Sequence, residues 1–333
     1  MTHPAIPHPE QQTLPSAENL FKIFLLIVLV GASFYAAART AAALEATATL
    51  SAVVLKWSVL LLLGVVDSVL ILGLGILAHD AVHRVLFRSA WANELGGSLI
   101  SMLALLPFYA NRQFHLTHHS YAHQPGADPE NVMHQHSFLF ATAAGAFIGL
   151  KEQYRILFEN ILRLRDRRYA GRALKDAASI GFAAAVYFWW VPALGMPVTV
   201  TFLPMFLMLP VVFSFRALSD HYGIPAVERD ATHQREVLDT GDENNGDVSH
   251  VTGWVVITAP WLEWLWSHVN YHEVHHKYPY LSHRYLPQVF AATRVTQPYL
   301  VVRGYWRSLV RLRKLPYYSS AKDVRAFRTD ATA

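Results

Sequence analysis

The chain has 333 residues, 53% of them hydrophobic and 16% charged, a balance that points away from a soluble domain and toward a membrane. Cysteine is absent, which excludes disulfides, cysteine-ligated iron-sulfur clusters and thiol catalysis. The net charge of +4 comes from basic residues clustered beside apolar spans, so it reads as a topology signal and not as a nucleic-acid surface.

A bilayer crossing needs about 20 mostly apolar residues, and the first stretch to offer them is Leu20 to Ala38, behind a polar tail over residues 1–19. No Lys or Arg precedes Lys22, so the start lacks the basic region of a secretory signal and the span is expected to be retained. A second span, Trp57 to Ala78, ends directly on His79. Within it Asp67 is an ionisable group in a costly place. It is either a functional group or one kept protonated or hydrogen-bonded to a neighbouring span.

Leu95 to Ala110, with Pro107, and Phe138 to Leu150 are too short to cross and read as re-entrant or interfacial helices. Ala177 to Met196 and Pro197 to Phe215 form a hairpin turning near Pro192 to Pro197, whose second arm delivers Arg216, Asp220 and His221. Val227 to Ser249 reads as a solvated loop. Val251 to Trp266, interrupted by Pro260 and Glu263, is again interfacial, with Trp254, Trp261, Trp264 and Trp266 at headgroup level.

Lys151 to Lys175 and the last 33 residues each hold eight Lys and Arg, which puts both on the cytoplasmic side by the positive-inside rule. The expected fold is an all-α integral membrane protein. It has four transmembrane helices, re-entrant or interfacial helices, and a cytoplasmic cap that carries the histidines. One embedded domain covers residues 20–300, and a basic tail covers 301–333.

Of the 18 histidines, eight fall in three five-residue windows. HDAVH holds His79 and His83, HLTHH holds His115, His118 and His119, and HEVHH holds His272, His275 and His276. On a helix each set shares one face. Eight imidazoles exceed the four to six ligands of one ion, so the count argues for two metals, with Zn, Cu, Fe and Ni all compatible with imidazole. A shared site requires Leu95 to Ala110 to turn back or lie flat, because a full crossing would put the first two windows on opposite sides. His123, His134, His136, His250, His268 and His283 lie near the windows without their spacing, and most of them read as interfacial or as supports behind the ligands, while His3, His8 and His233 read as surface.

With these motifs in view, the chain resembles the membrane fatty acid desaturase superfamily, which includes acyl desaturases, acyl hydroxylases and carotenoid ketolases and hydroxylases. The resemblance runs from about His79 to Pro287. It rests on HDAVH, on HLTHHSYAHQPGADPEN, on RALSDHYG and on NYHEVHHKYPYLSHRYLP. It implies two non-haem irons held by the window histidines, with His221 as a further ligand and Asn270 acting near iron through water. The family often has Glu where this chain has Asp220. Ligating imidazoles usually give their other N–H to a carboxylate or carbonyl, which nominates Asp80 and Asp220, and after them Asp128 and Glu130.

The same resemblance implies O2-dependent oxidation of an unactivated C–H in a long apolar lipid or terpenoid chain entering between spans two and four. Fatty acyl desaturation is the first choice. Carotenoid ketolation or hydroxylation, or acyl hydroxylation, is the alternative on the same scaffold. Electrons must come from an external ferredoxin or cytochrome-type donor, since the chain has no cluster cysteines and no dinucleotide fingerprint. The basic segments either anchor to anionic lipid or dock that donor. A membrane zinc peptidase using Glu273 of H-E-x-x-H is a remote rival that leaves two windows unused, and a histidine-rich metal transporter would need more ionisable residues inside its spans.

Overall fold

Two long apolar helices open the fold. In the computed structural model, which describes residues 6–7, 12–45, 49–131, 136–229, 235–237 and 251–324, α1 (Ser16–Glu45) has 30 residues and α2 (Leu50–Val82) has 33. At 1.5 Å per residue these measure about 45 and 50 Å, more than the ~30 Å hydrocarbon core. α2 is therefore long enough to cross and still project its last turn, with His79, beyond the apolar zone.

α2 packs along α1 and along a third apolar helix, which is labelled α7 below (Phe202–His221). The α2–α7 contact is close because Gly64 has no side chain: a Cβ there would lie 2.7 Å from the Pro204 backbone. Ser68 fastens the same crossing, its hydroxyl 2.6 Å from the Gly64 carbonyl and 3.1 Å from that of Met205. Pro210 lies inside α7 and, lacking an N–H, interrupts its hydrogen-bond ladder.

Between α2 and α7 the expected short segments take more definite shapes. Leu95 to Ala110 breaks into α3 (Ala90–Ser101), a 3-10 turn and Leu105 at φ 55°. Pro107 then opens α4 (Phe108–Tyr121). Pro107 offers no side-chain cap, and Asp176 takes that role from a distance, accepting from Tyr109 N at 2.9 Å and Ala110 N at 3.0 Å. α5 (Phe138–Leu162) runs past the expected end at Leu150 and into the basic stretch.

The predicted crossing Ala177 to Met196 differs most. α6 (Arg167–Ala185) starts among charged residues, passes into a π-helical turn over Val186–Trp190, and ends in the short helical turn Val191–Ala193. Among the described residues three helices, α1, α2 and α7, are long and apolar enough to cross a membrane. The hairpin turn falls where expected, with Gly195 at φ 78°.

Val251 to Trp266 is not one helix. Its β-branched run forms β3 (Trp254–Ile257), and Pro260 then opens α8 (Pro260–Leu265). In chain order β1 (Val227–Arg229) and β2 (Arg235–Val237) precede β3 and make a two-stranded antiparallel sheet. β3 pairs in parallel with β4 (Leu300–Arg303), Trp254 opposite Leu300. The fold is thus mostly helical with two small sheets, not all-α. Trp254 is fully buried and donates to the Tyr222 carbonyl at 2.8 Å, away from the headgroup role expected of it, whereas Trp261 is 65% exposed.

The remaining helices are α9 (His272–Lys277), α10 (Leu286–Thr293), α11 (Tyr305–Leu312) and α12 (Ala321–Val324). β4 and α11 fall in or against the stretch expected as a basic tail, yet Val302, Tyr305, Leu309 and Leu312 join the main core. His3, His8, His134, His233 and His250 lie outside the described residues. His136 is exposed.

Candidate metal centre

Three helices deliver imidazoles from their last turns: His79 from α2, His118 and His119 from α4, and His221 from α7. A helix C-terminus carries partial negative charge, so these ends together favour cations. α9 adds His272, His275 and His276 from one face. All nine histidines expected as ligands come together in two groups. His79, His83, His115, His119 and His275 form one, and His118, His221, His272 and His276 form the other, with the facing atoms of each group within 4.8 Å of one another.

The spacing within the groups is that of donors around an ion. Facing Nε2 atoms lie 2.9 Å apart for His83 and His115, 3.1 Å for His119 and His275, and 3.3 Å for His118 and His276. The His221–His272 and His272–His276 separations are 2.8 and 3.1 Å. Two nitrogens each about 2.1 Å from a shared ion, at right or tetrahedral angles, stand about 3.0–3.4 Å apart. The groups adjoin, since the rings of His119 and His276 stack with centroids 4.2 Å apart. Burial, followed by neighbouring imidazoles and cations, holds His83, His115, His272, His275 and His276 well below the usual histidine pKa. They are neutral at pH 7, the form that donates to a metal.

A cavity of about 140 Å³ runs between α2, α5 and α7 and meets the histidines. Ile76, Phe147, Leu209 and Phe213 line its apolar body, and His79, His115 and His272 line its metal-facing end. The family model for fatty acid desaturases matches residues 51–307, a stretch that includes all nine histidines and the cavity. The chain belongs to the fatty acid desaturase family. Members use iron, and the family match together with three apolar helices makes the protein a membrane oxidoreductase. No curated protein matches the chain.

Behind the imidazoles of this desaturase lies a second layer of contacts, part expected and part not. Asp128 takes the His118 Nδ1 proton at 2.9 Å and also accepts from the backbone N–H groups of His123 and Glu130. Burial pushes its carboxyl up, but His118 and His123 outweigh that and hold it below the ordinary range. Asp220 stands 3.8 Å from His272 Nδ1 and is ion-paired with Arg216. Asp80 lies 3.8 Å from His79 Nδ1, and its stronger partner is His283 Nδ1 at 2.6 Å. Asn270 donates to Val256 O and to Glu263, while its side-chain oxygen is buried without a hydrogen-bond partner.

Sequence reasoning missed two supports. The Thr252 carbonyl accepts from His221 Nδ1 at 3.0 Å and from His123 Nε2 at 2.8 Å. Glu273 is fully buried and accepts from the Thr252 N–H and hydroxyl, with Lys277 3.3 Å from its other oxygen. It therefore braces the loop that orients His221. That position removes the zinc-peptidase reading, which needs Glu273 to face the metal as a base. His283, seven residues past its nearest histidine window, carried no spacing signal. A backbone carbonyl such as that of Thr252 carries none at all.

Proposed function

We propose that this desaturase oxidises an unactivated C–H of a fatty acyl chain to an alkene, using O2, two irons held by the nine histidines, and electrons from an external donor. The observation that carries this reading is the apolar cavity meeting both histidine groups, at His79 and His115 of one and His272 of the other. When bound, the iron pair supplies the O2-dependent removal of hydrogen.

The rest of the mechanism belongs to the chain. Leu209 and Phe213 of α7 face Ile76 of α2 across the cavity and hold an apolar substrate in register. Phe147 closes the α5 side and keeps water from the reacting carbon. Asp128 and the Thr252 carbonyl fix the tautomers of His118 and His221, so that Nε2 of each points inward.

The composite helix from Arg167 to Ala193 supplies a fourth crossing in this reading, and the histidine groups lie on the cytoplasmic side with the basic stretches. A groove lined by Arg84, Arg112 and Arg172 opens beside α4 on that side, and it suits an acidic ferredoxin or cytochrome.

Expression with a compatible reductase, followed by analysis of lipids and pigments, tests the proposal. New double bonds in acyl chains are expected, together with about two irons per purified chain. New oxygen on a carotenoid would replace the substrate assignment, and one zinc without iron would overturn the metal assignment.

A further inference from the structure

Polar side chains are few around the cavity, and most of them belong to the histidine layer. Glu130 lies 3.1 Å from His118 Nε2, and Arg216 is ion-paired with Asp220. Two other lining residues, Gln153 of α5 and Asn111 of α4, are uncharged carboxamides. We propose that Gln153, assisted by Asn111, recognises a hydroxyl or amide on the substrate, so that the enzyme takes acyl chains carrying such a group in preference to plain ones. The inference rests on the reading that the cavity holds an acyl substrate, and it adds a polar requirement to that reading.

The helices aim both residues inward. Ala146, Gly149, Leu150 and Gln153 follow at i, i+3, i+4 and i+7 along α5, which puts them on one face, and all four line the cavity. Asn111, Phe114 and His115 do the same on α4. The two helices pack together through Ala110, Phe114, Ile156 and Leu157, so the carboxamides reach the cavity from adjoining walls. Glutamine is ordinarily an exposed residue. Gln153 is only 7% exposed, and its Oε1 is buried without a hydrogen-bond partner among the described residues. A buried acceptor in that state costs about 1–3 kcal/mol, a cost that leucine at the same place would avoid.

The class of ligand follows from the donors and acceptors on offer. A carboxamide carries two N–H donors, one acceptor oxygen and no charge. Its match is a neutral group that both donates and accepts, as a hydroxyl and a secondary amide do. Ester and thioester carbonyls only accept. A carboxylate or phosphate would bring a charge for which neither Gln153 nor Asn111 supplies a counter-ion. Asn111 stands one turn before His115, about 6 Å along α4, so the recognised group lies near the reacting C–H. A contact there sets which carbon faces the histidines, whereas an apolar wall alone lets a uniform chain slide. The competing occupant is a trapped water, which serves every chain alike and gives no discrimination.

The test titrates full-length protein in detergent with acyl probes and reads their dissociation constants. The probes are methyl palmitate, the positional series of monohydroxylated methyl palmitates, and N-methyl palmitamide. The wild type is expected to bind one hydroxylated position, or the amide, about 10- to 100-fold tighter than methyl palmitate. Which of the two is preferred identifies the group that Gln153 reads. Gln153→Met, close in shape and without a polar end, should erase the preference and bind methyl palmitate at least as tightly as the wild type does. Equal affinity of the wild type for all probes overturns the proposal and leaves the carboxamides to water. A Gln153→Met variant that keeps the preference overturns it as well. Should that variant not fold, Asn111→Ala, at a half-buried position, is expected to weaken the preference, and an undiminished preference there overturns the proposal. A wild type that binds none of the acyl probes overturns the fatty acyl reading beneath it, whereas equal binding of all of them leaves that reading intact.

Discussion

Asp128→Asn is the sharpest probe of the layer behind the histidines. The wild-type carboxylate accepts three hydrogen bonds, from His118 Nδ1 and Glu130 N at 2.9 Å each and from His123 N at 2.8 Å. Asparagine keeps one acceptor oxygen for the first two and turns an NH2 toward the His123 N–H. One buried donor is orphaned, at a cost of about 1–3 kcal/mol. The charge that orients the His118 ring is lost as well. Outer-shell carboxylates behind metal-bound histidines typically contribute about 10- to 100-fold to metal affinity, or roughly 1.4–2.7 kcal/mol. Iron-loaded wild type and variant should therefore be titrated with a chelator while the retained iron is counted. The variant should surrender the iron of the four-histidine group first and keep the other near wild-type affinity. A variant that melts like the wild type and releases both irons at the same chelator concentration would refute the assignment of Asp128 as the group that orients His118.

Three further outcomes follow from other parts of the fold. Gly75 borders the cavity, and a Cβ there would meet nothing within 4 Å, so Gly75→Leu should fold and keep its iron while shortening the space for substrate. Product analysis by mass spectrometry should show shorter chains favoured or activity lost, and unchanged product would mean that substrate lies elsewhere. Asp176→Ala removes the acceptor for two N–H groups at the start of α4, so it should destabilise by about 1–3 kcal/mol, read as a lower melting temperature. Burial, with help from His283 and Lys22, lowers the His268 pKa to about 4. Below about 6.5 the unfolded chain takes a proton that the folded one refuses, so stability should fall between pH 6.5 and 4 and level off below that. His268→Asn, chosen because His268 sits at φ 52° where Asn is tolerated, should flatten that part of the melting-temperature profile.

Eight of the nine histidines were legible because their geometry is local, and His221 came only from the family resemblance. Spacings of three and four residues put side chains on one helix face whatever the rest of the chain does. Features that depend on tertiary partners were not legible. Val251 to Trp266 is as apolar as an interfacial helix, and only its pairing with Leu300–Arg303 makes part of it a strand. Lys22 entered the sequence reading only as the first basic residue of the chain. In the fold it is buried, its ammonium bonded to Ser267 Oγ at 2.8 Å and to the Trp264 carbonyl, so it ties α1 to the turn after α8. The Thr252 carbonyl has no residue-type signature, and Glu273 stood out only as the base of the remote zinc-peptidase reading. The stretch expected as a fourth crossing is not apolar enough within α6 alone, because that helix starts among Arg167, Arg168, Arg172 and Lys175, ahead of its apolar half.

The repeated H-x-x-H-H pattern has a geometric reason that appears only when the two groups are sorted by helix. In α4, His115 and His119 enter the five-histidine group and His118 enters the other. In α9, His272 and His276 enter the four-histidine group and His275 enters the other. Each pattern thus gives its i,i+4 pair to one group and its middle residue to the neighbour, and the two helices do so with opposite assignments. His79 and His83, an i,i+4 pair with valine at the i+3 place, serve one group alone. H-x-x-x-H therefore suffices for a helix that enters one group, and H-x-x-H-H is needed for a helix that joins both. α4 and α9 are the bridging pair, whereas the α2 end, with His79 and His83, and α7, with His221, each enter a single group. In the two-iron reading, losing the ion of the four-histidine group would leave the C-terminal end of α7 held only by protein contacts such as that of His221 with the Thr252 carbonyl, because His221 is the one histidine that α7 contributes.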